Sequence, residues 1–431
     1  MNTNESAKIK SQMSRREEMD VLVRQSSLGS VGGAGRMDVD VSSAPIVRLV
    51  NRVIDDAIER RASDIHIEPQ EDELRVRFRV DGELVPQYGG FPLALRDTLT
   101  SRIKIMAHLD TTERRKPQDG RITHKHAGRD VDIRVSTMPL IHGESIVLRL
   151  LNGSREFLSL DELNFSEANE KMFRGWMHSP YGLILATGPV NSGKSTTLYA
   201  ALSELNTKEK NIVTIEDPVE CHLAGVNQMQ VNQKVDLTFA AGLRAILRQD
   251  PDVCMVGEIR DEETAEIAVR AALTGRLLFT TLHTGNAIGA IFRLLDMGIA
   301  PYLLSAALSG IMAQRLVRRL CPHCRERYEV APDSAEARIL GEHYREGMTM
   351  YRNVGCDACG GEGYSGRLAI HELLTIGGAM RDAITHQHEY ARVESEAKRA
   401  GMVSLMEDGI SKAERGETTL SEIGRVLYGE P

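Results

Sequence analysis

Aromatic side chains are scarce in this sequence, at 4% of 431 residues with a single tryptophan. Such a chain offers no series of stacking platforms, the device that holds single-stranded nucleic acid without regard to sequence. Basic residues are outnumbered, 53 Lys and Arg against 61 Asp and Glu, for a formal charge of -8 and a pI near 6.0. That balance excludes a nucleic-acid binder working through overall charge, and no nucleic-acid partner is expected. No run reaches the roughly 18 apolar residues of a membrane-spanning helix. The best candidate, Ile299 to Ala313, is interrupted by Pro301, Ser305, Ser309 and Gly310 and reads as a buried helix. The first twenty residues lack the apolar centre of a secretory signal, so a cytoplasmic protein that meets a membrane only through partners is expected.

The most informative stretch runs from Leu183 to Leu202. Leu183 to Ala186 reads as a buried strand, the loop Gly188-Pro189-Val190-Asn191-Ser192-Gly193 follows, and Lys194-Ser195-Thr196 open a helix continued by Leu198, Ala200, Ala201 and Leu202. The spacing G-x-x-x-x-G-K-S between a strand and a helix fits a phosphate-binding loop. Backbone N–H groups and the helix dipole would hold phosphates, Lys194 would reach the β and γ groups, and Ser195 would ligate Mg²⁺. A chance glycine turn before a helix is the competing reading.

Around this loop the chain divides by pattern. Residues 1–40 are polar, end in SSLGSVGGAG, and read as a flexible tail. Residues 41–152 read as a small α+β domain: a helical repeat from Ile46, alternating strands at 64–68, 74–80, 131–135 and 145–151, and a helical stretch from Leu93 to His108. Its loop from Glu113 to Arg121 has no apolar side chain. From 153 to 431, strand candidates at 183–186, 212–215, 253–256 and 277–282 alternate with helical patterns, which predicts a parallel sheet covered on both faces. Ligands of such sheets bind at the carboxyl ends of the strands.

Those strand ends carry acids. Glu216-Asp217 follow one strand and Glu258 follows another. Downstream of a phosphate loop, Glu258 suits a general base or water-orienting residue, with Glu216 and Asp217 polarising water and metal; helix capping is the plainer alternative. His283 leaves the strand 277–282 at the same edge and suits a γ-phosphate sensor, or a structural hydrogen-bonder. Between Ser101 and Leu150 stand ten Lys or Arg against six Asp or Glu. Within them, Arg121 and Arg134 carry forks suited to a phosphate supplied by a neighbouring site, against the alternative of a solvated face. Four of the six cysteines form Cys321-Pro322-His323-Cys324 and Cys356-Asp357-Ala358-Cys359. Two such pairs suit a closed, structural Zn²⁺ site within a module at 321–359, whereas disulfides are disfavoured in a cytosolic chain.

Taken in order, Ala62 to Pro69, Glu113 to Arg121, the phosphate loop, Ile215 to Glu220, Arg248 to Asp261, Thr281 to Thr284 and the four cysteines resemble the secretion ATPases of type II secretion and type IV pilus assembly, the GspE/PilB family. The resemblance covers about residues 44 to 428. It implies a RecA-like ATPase domain at 153–431 after a PAS-like domain at 41–152, and a homohexamer with ATP at subunit interfaces. It further implies an inner-membrane platform protein as partner, with a membrane-anchored protein docking through a cytoplasmic domain as another. By motif, Glu216 and Asp217 fall in the family's aspartate box, Glu258 in its Walker B motif and His283 in its histidine box, while Arg121 and Arg134 match arginines that reach a γ-phosphate. The sequence departs from the family pattern at Arg276, where a histidine is common, at Gly285-Asn286 and at Val190-Asn191. Retraction ATPases resemble the chain without the cysteine module; a nucleic-acid translocase and a nucleotide-gated structural ring are the rival readings from other classes.

Overall fold

Alternating apolar and polar residues build the first of two sheets. The structure is a computed structural model describing residues 18–27, 45–151, 159–387 and 389–429. Its contacts divide the chain into two units, Met1–Arg155 and Glu156–Pro431.

The first unit holds helices α1 (18–27), α2 (Pro45–Glu59) and α3 (Arg96–Met106), with strands β1 (Asp64–Pro69), β2 (Glu73–Val80), β3 (Glu83–Pro92), β4 (Gln118–His126), β5 (Arg129–Leu140) and β6 (Gly143–Leu151). The strands pair antiparallel in the order β3-β2-β1-β6-β5-β4. Ile65, Val76, Phe78, Ile133 and Leu148 line the inner face and pack against Val53 and Ile54 of α2 and Leu99 and Ile103 of α3. Lys104 of α3 is 1% exposed and paired with Glu144 at 2.5 Å, and its Nζ donates to the Glu113 carbonyl at 2.7 Å. That ammonium pins the apolar-free loop to the core.

Two expectations need correction here. Part of the 1–40 tail is helix α1, because Met19, Leu22 and Val23, three and four positions apart, give it one apolar stripe that joins this core. The expected loop to Arg121 ends earlier, since Gln118–Arg121 already pair with Arg134–Thr137 of β5.

The second unit contains α4 (Glu167–Met177), α5 (Lys194–Leu205), α6 (Phe239–Ile246), α7 (Glu262–Leu273) and α8 (Ala287–Asp296) among its helices. Its strands are β7 (Gly182–Thr187), β8 (Ile212–Glu216), β9 (Asn227–Gln230), β10 (Val253–Val256), β11 (Leu277–Leu282), β12 (Leu308–Leu320), β13 (Glu326–Glu329), β14 (Thr349–Arg352) and β15 (Tyr364–Thr375). Seven form one sheet in the order β15-β12-β7-β11-β10-β8-β9, parallel except for β15. Leu243, Ala268 and Ile291 of α6, α7 and α8 belong to the core on one face; Phe173, Leu198 and Leu202 of α4 and α5 belong to the core on the other. The predicted α/β sheet is therefore present, with four strands where the apolar runs placed them.

The reading of Ile299 to Ala313 as one helix fails after Ala307. A short helix, Pro301–Ala307, gives way to β12, whose Gly310–Ala313 pair with Ile184–Thr187 of β7. Gly310, which looked like a helix interruption, lies under the Trp176 ring, and a Cβ there would stand 2.3 Å from the ring's Cε2. Among the described residues, no helix is long and apolar enough to cross a membrane.

Candidate active site

β7 delivers the chain into the loop at the centre of the sheet. Gly188 has φ +153°, and a Cβ there would stand 2.5 Å from the Gln314 carbonyl oxygen, so the first glycine is required by close approach. Asn191 (φ +64°) and Gly193 (φ +88°) take the left-handed conformation, and Gly193 is the N-cap of α5. Lys194, only 8% exposed, folds back so that Nζ donates to the Gly188 carbonyl at 2.8 Å and the Pro189 carbonyl at 2.9 Å. Burial pushes this ammonium down to about 8, opposed by the Glu258 carboxylate and reinforced by Arg315. Ser192 Oγ is buried and has no hydrogen-bond partner among the described residues. Val190, Asn191 and Ser195 are exposed. A helix N-terminus, a loop-tethered ammonium and an orphaned hydroxyl form a cradle that fits a phosphate chain.

β12 closes the loop from behind. Gln314, 2% exposed, donates through Nε2 to the Ser192 carbonyl at 2.9 Å and accepts from Thr197 Oγ1 at 2.8 Å. Neither contact has a local signal in the sequence, because a loop and a strand far along the chain must first be brought side by side.

The acids fall into two groups. Glu216 is 4% exposed and turned inward: Oε1 accepts from Thr214 Oγ1 at 2.6 Å and Gln228 Nε2 at 3.2 Å, while Oε2 accepts from the Tyr199 hydroxyl of α5. Burial and this carboxylate push the Tyr199 hydroxyl far above its usual range. Glu216 therefore ties β8 to the helix after the loop, with both oxygens engaged. Glu258 faces the loop's edge instead. Its Oε1 accepts from Arg260 Nη2 at 2.6 Å and its Oε2 lies 3.4 Å from His283 Nε2. Burial works to raise this carboxyl, but Arg260 and His283 outweigh it and hold it below the ordinary value. Asp217 lies 3.9 Å from Arg260 Nη1. Arg260 and His283 thus flank Glu258, Asp217 reaches Arg260 from the next strand end, and Glu258 lies within electrostatic reach of Lys194; Arg260 is a participant visible in the sequence only as a cation two residues after Glu258.

In the first unit the strand register sets Arg121 opposite Arg134, Arg134 opposite Arg149, Arg149 opposite Asp64, and Asp64 opposite Arg79. Directly opposed residues share a face, so three arginines stand in a row. Arg134 Nε is buried and has no hydrogen-bond partner among the described residues, whereas Arg149 Nε is held by Asp64 at 2.9 Å. Arg149 was not singled out from the sequence; alternation puts it on a strand, but the row exists only through the register.

The four cysteines converge. Sγ–Sγ separations are 3.9 Å (Cys321–Cys356), 3.8 Å (Cys324–Cys359) and 3.8 Å (Cys356–Cys359), and all four sulfurs lie within 4.8 Å of one another. Four thiolates at zinc–sulfur distance make a tetrahedron with edges of about 3.8 Å. Burial opposes ionisation of Cys359, but backbone N–H groups of Cys356 (3.2 Å) and Gly363 (3.1 Å) donate to its sulfur and bring the thiol down to about 7. These features fit a metal held by thiolates. Between the pairs, β13 and β14 form a separate two-stranded antiparallel sheet.

The family described as "Type II/IV secretion system protein" matches residues 39–425. This chain belongs to that family. Its relatives include the type II secretion system ATPase E of Vibrio cholerae, 50% identical over 383 residues, covering 89% of this chain and 75% of that protein. The type IV pilus assembly ATPase PilB of Myxococcus xanthus is 48% identical over 383 residues, covering 88% of this chain and 67% of that protein. Among solved structures, the pilus retraction motor PilT with bound ADP aligns with a TM-score of 0.57 at 27% identity, covering 86% of this chain and 95% of that one. The ATPase DotB of Legionella pneumophila shares the fold, with a TM-score of 0.64 at 21% identity over 87% of this chain and 94% of that one. The resemblance read from the motifs is thereby established, and this secretion-family protein is an ATPase.

Proposed function

We propose that this ATPase is a hexameric motor that powers assembly of a type IV pilus or type II secretion pseudopilus through an inner-membrane platform protein. The observation that carries the reading is Glu258 at the end of the parallel sheet, paired with Arg260 and His283 and within electrostatic reach of the Lys194 ammonium. In this reading the loop from Gly188 to Thr196 binds the ATP phosphates, Lys194 exchanges its two carbonyl partners for phosphate oxygens, and Ser195 ligates magnesium. When bound there, magnesium would supply charge neutralisation for the phosphate chain. Glu258, held ionised by Arg260 and His283, orients the attacking water and accepts its proton. Asp217 assists from the adjacent strand end, Glu216 holds β8 and α5 in register from behind, and His283 senses the γ-phosphate. Arg121, Arg134 and Arg149 present their row to a neighbouring subunit's nucleotide, where a fork with an unpartnered Nε is available to a phosphate oxygen. Cys321, Cys324, Cys356 and Cys359 would hold a structural zinc that closes the module containing the β13–β14 sheet. The protein works in the cytoplasm, peripheral to the inner membrane, through the platform protein and a membrane-anchored partner.

The test is Mg²⁺-ATP turnover against protein concentration for the native chain and for Glu258→Gln. Turnover that rises more steeply than linearly and vanishes in the variant is the expected result. Linear turnover indifferent to Glu258 would refute both the shared site and the assigned base.

A further inference from the structure

Two adjacent residues of β12 hold two different loops. Gln314 engages both ends of the phosphate loop: its side chain takes the Ser192 carbonyl, and its own carbonyl oxygen lies where a Cβ on Gly188 would stand 2.5 Å away. Successive side chains on a strand point to opposite faces. Arg315 accordingly turns the other way, with Nη2 donating to the Gly285 carbonyl at 2.6 Å and Nη1 reaching back to the Gln314 carbonyl at 3.1 Å. Buried Glu372 acts on this guanidinium through space, while its hydrogen bonds among the described residues go to two backbone carbonyls.

Gly285 lies two residues after His283, in the short connection from β11 to α8. The ends of that connection are fixed independently of Arg315. The Thr284 N–H donates to Thr187 Oγ1 at 2.9 Å, Asn286 Oδ1 caps α8 at the Gly289 N–H (2.8 Å), and the Ala287 N–H donates to buried Glu372 at 2.8 Å. Gly285 between them is held through its carbonyl by Arg315, the residue beside the one that grips the phosphate loop.

Resting on the reading of Glu258 and His283 given above, we propose that Arg315 is a positioning residue which, with Gln314, makes the placement of His283 follow the state of the phosphate loop. A loop that tightens on phosphate shifts Ser192 and Gly188, both in contact with Gln314. The rigid fork of Arg315 carries that shift from the Gln314 carbonyl to the Gly285 carbonyl. The planar fork matters: a lysine keeps the charge but cannot bridge two carbonyls in a fixed geometry.

The test compares the native full chain with Arg315→Lys, His283→Ala and the double variant, with Trp176 fluorescence confirming that each is folded. For Arg315→Lys, kcat should fall about tenfold while KM and ADP affinity stay within about threefold, because placement rather than binding is lost. The double variant should be no slower than His283→Ala alone. In hydrogen exchange, saturating ADP should protect residues 283–287 of the native chain and fail to protect them in Arg315→Lys. Multiplying effects on kcat, or ADP protection that persists in Arg315→Lys, would overturn the proposal while leaving the site assignment standing. A native kcat in His283→Ala would overturn the reading of His283 and the proposal with it.

Discussion

Raising the pH from about 7 to about 9.5 should weaken ADP binding about 30-fold through Lys194 alone. In the nucleotide-free protein burial has pushed this ammonium down to about 8, so it is charged at neutral pH and largely neutral by the upper end of the range. Phosphate beside Nζ restores the charged form. Above pH 8, therefore, binding takes up a proton that the free protein has already lost, and each further pH unit costs about tenfold in affinity until the ordinary lysine range is reached. The free fold responds with the opposite sign. Because folding lowers this lysine, the unfolded chain holds the proton more tightly, and the group's contribution to stability improves as pH climbs through 8.

Isothermal titration of ADP in two buffers of different ionisation enthalpy measures the uptake directly. About half a proton should be taken up near pH 8 and about 0.9 near pH 9. ADP's own phosphates are fully ionised there and contribute none. Lys194→Arg, which stays charged throughout, should bind with a flat pH dependence whatever its absolute affinity. Native affinity that is level through pH 9.5, with no proton uptake, would refute the claim that the phosphate loop buries a depressed ammonium.

Metal analysis should find about one zinc per chain, reduced to background in Cys359→Ser; a folded, zinc-free native protein would refute the thiolate site. Gly310→Ala should destabilise the second unit by about 1–3 kcal/mol and shift Trp176 fluorescence, since the backbone there tolerates alanine and only the ring is in the way. Unchanged denaturant midpoint and spectrum would refute that packing. Arg134→Ala should cut turnover at least about tenfold at concentrations where the assembly forms, while ADP affinity of the isolated subunit holds; undiminished turnover would return Arg134 to an ordinary surface role.

What the sequence made legible follows one physical rule. The strands at 183–186, 212–215, 253–256 and 277–282 were readable because parallel strands buried on both faces become short, unbroken apolar runs ended by turn residues. The phosphate loop was readable because all its parts are contiguous. β12 was not, because its apolar residues continue those of the helix at 301–307 and only pairing with β7 makes them a strand. The position of Glu216 at a strand end was legible, but its inward turn depends on Tyr199 and Gln228, one on a helix and one on an edge strand. Arg149 and α1 escaped for the same reason: each acquires its meaning from a neighbour distant along the chain.

The same distinction settles how the departures from the family pattern bear on the site. Asn191 occupies a left-handed backbone position, which asparagine tolerates better than other side chains, so it needs no glycine. Asn286 caps α8, and Gly285 contributes a carbonyl that any residue could supply. Arg276 precedes β11 and binds Thr274 through its carbonyl (3.2 Å) and hydroxyl (3.0 Å), whereas His283 follows the opposite end of that strand. Six extended residues separate the two ends by about 20 Å. A histidine or an arginine at 276 is equally remote from the phosphate cradle. The strand end nearer the phosphate loop carries His283 instead, and the connection that follows it is held by Arg315 of β12.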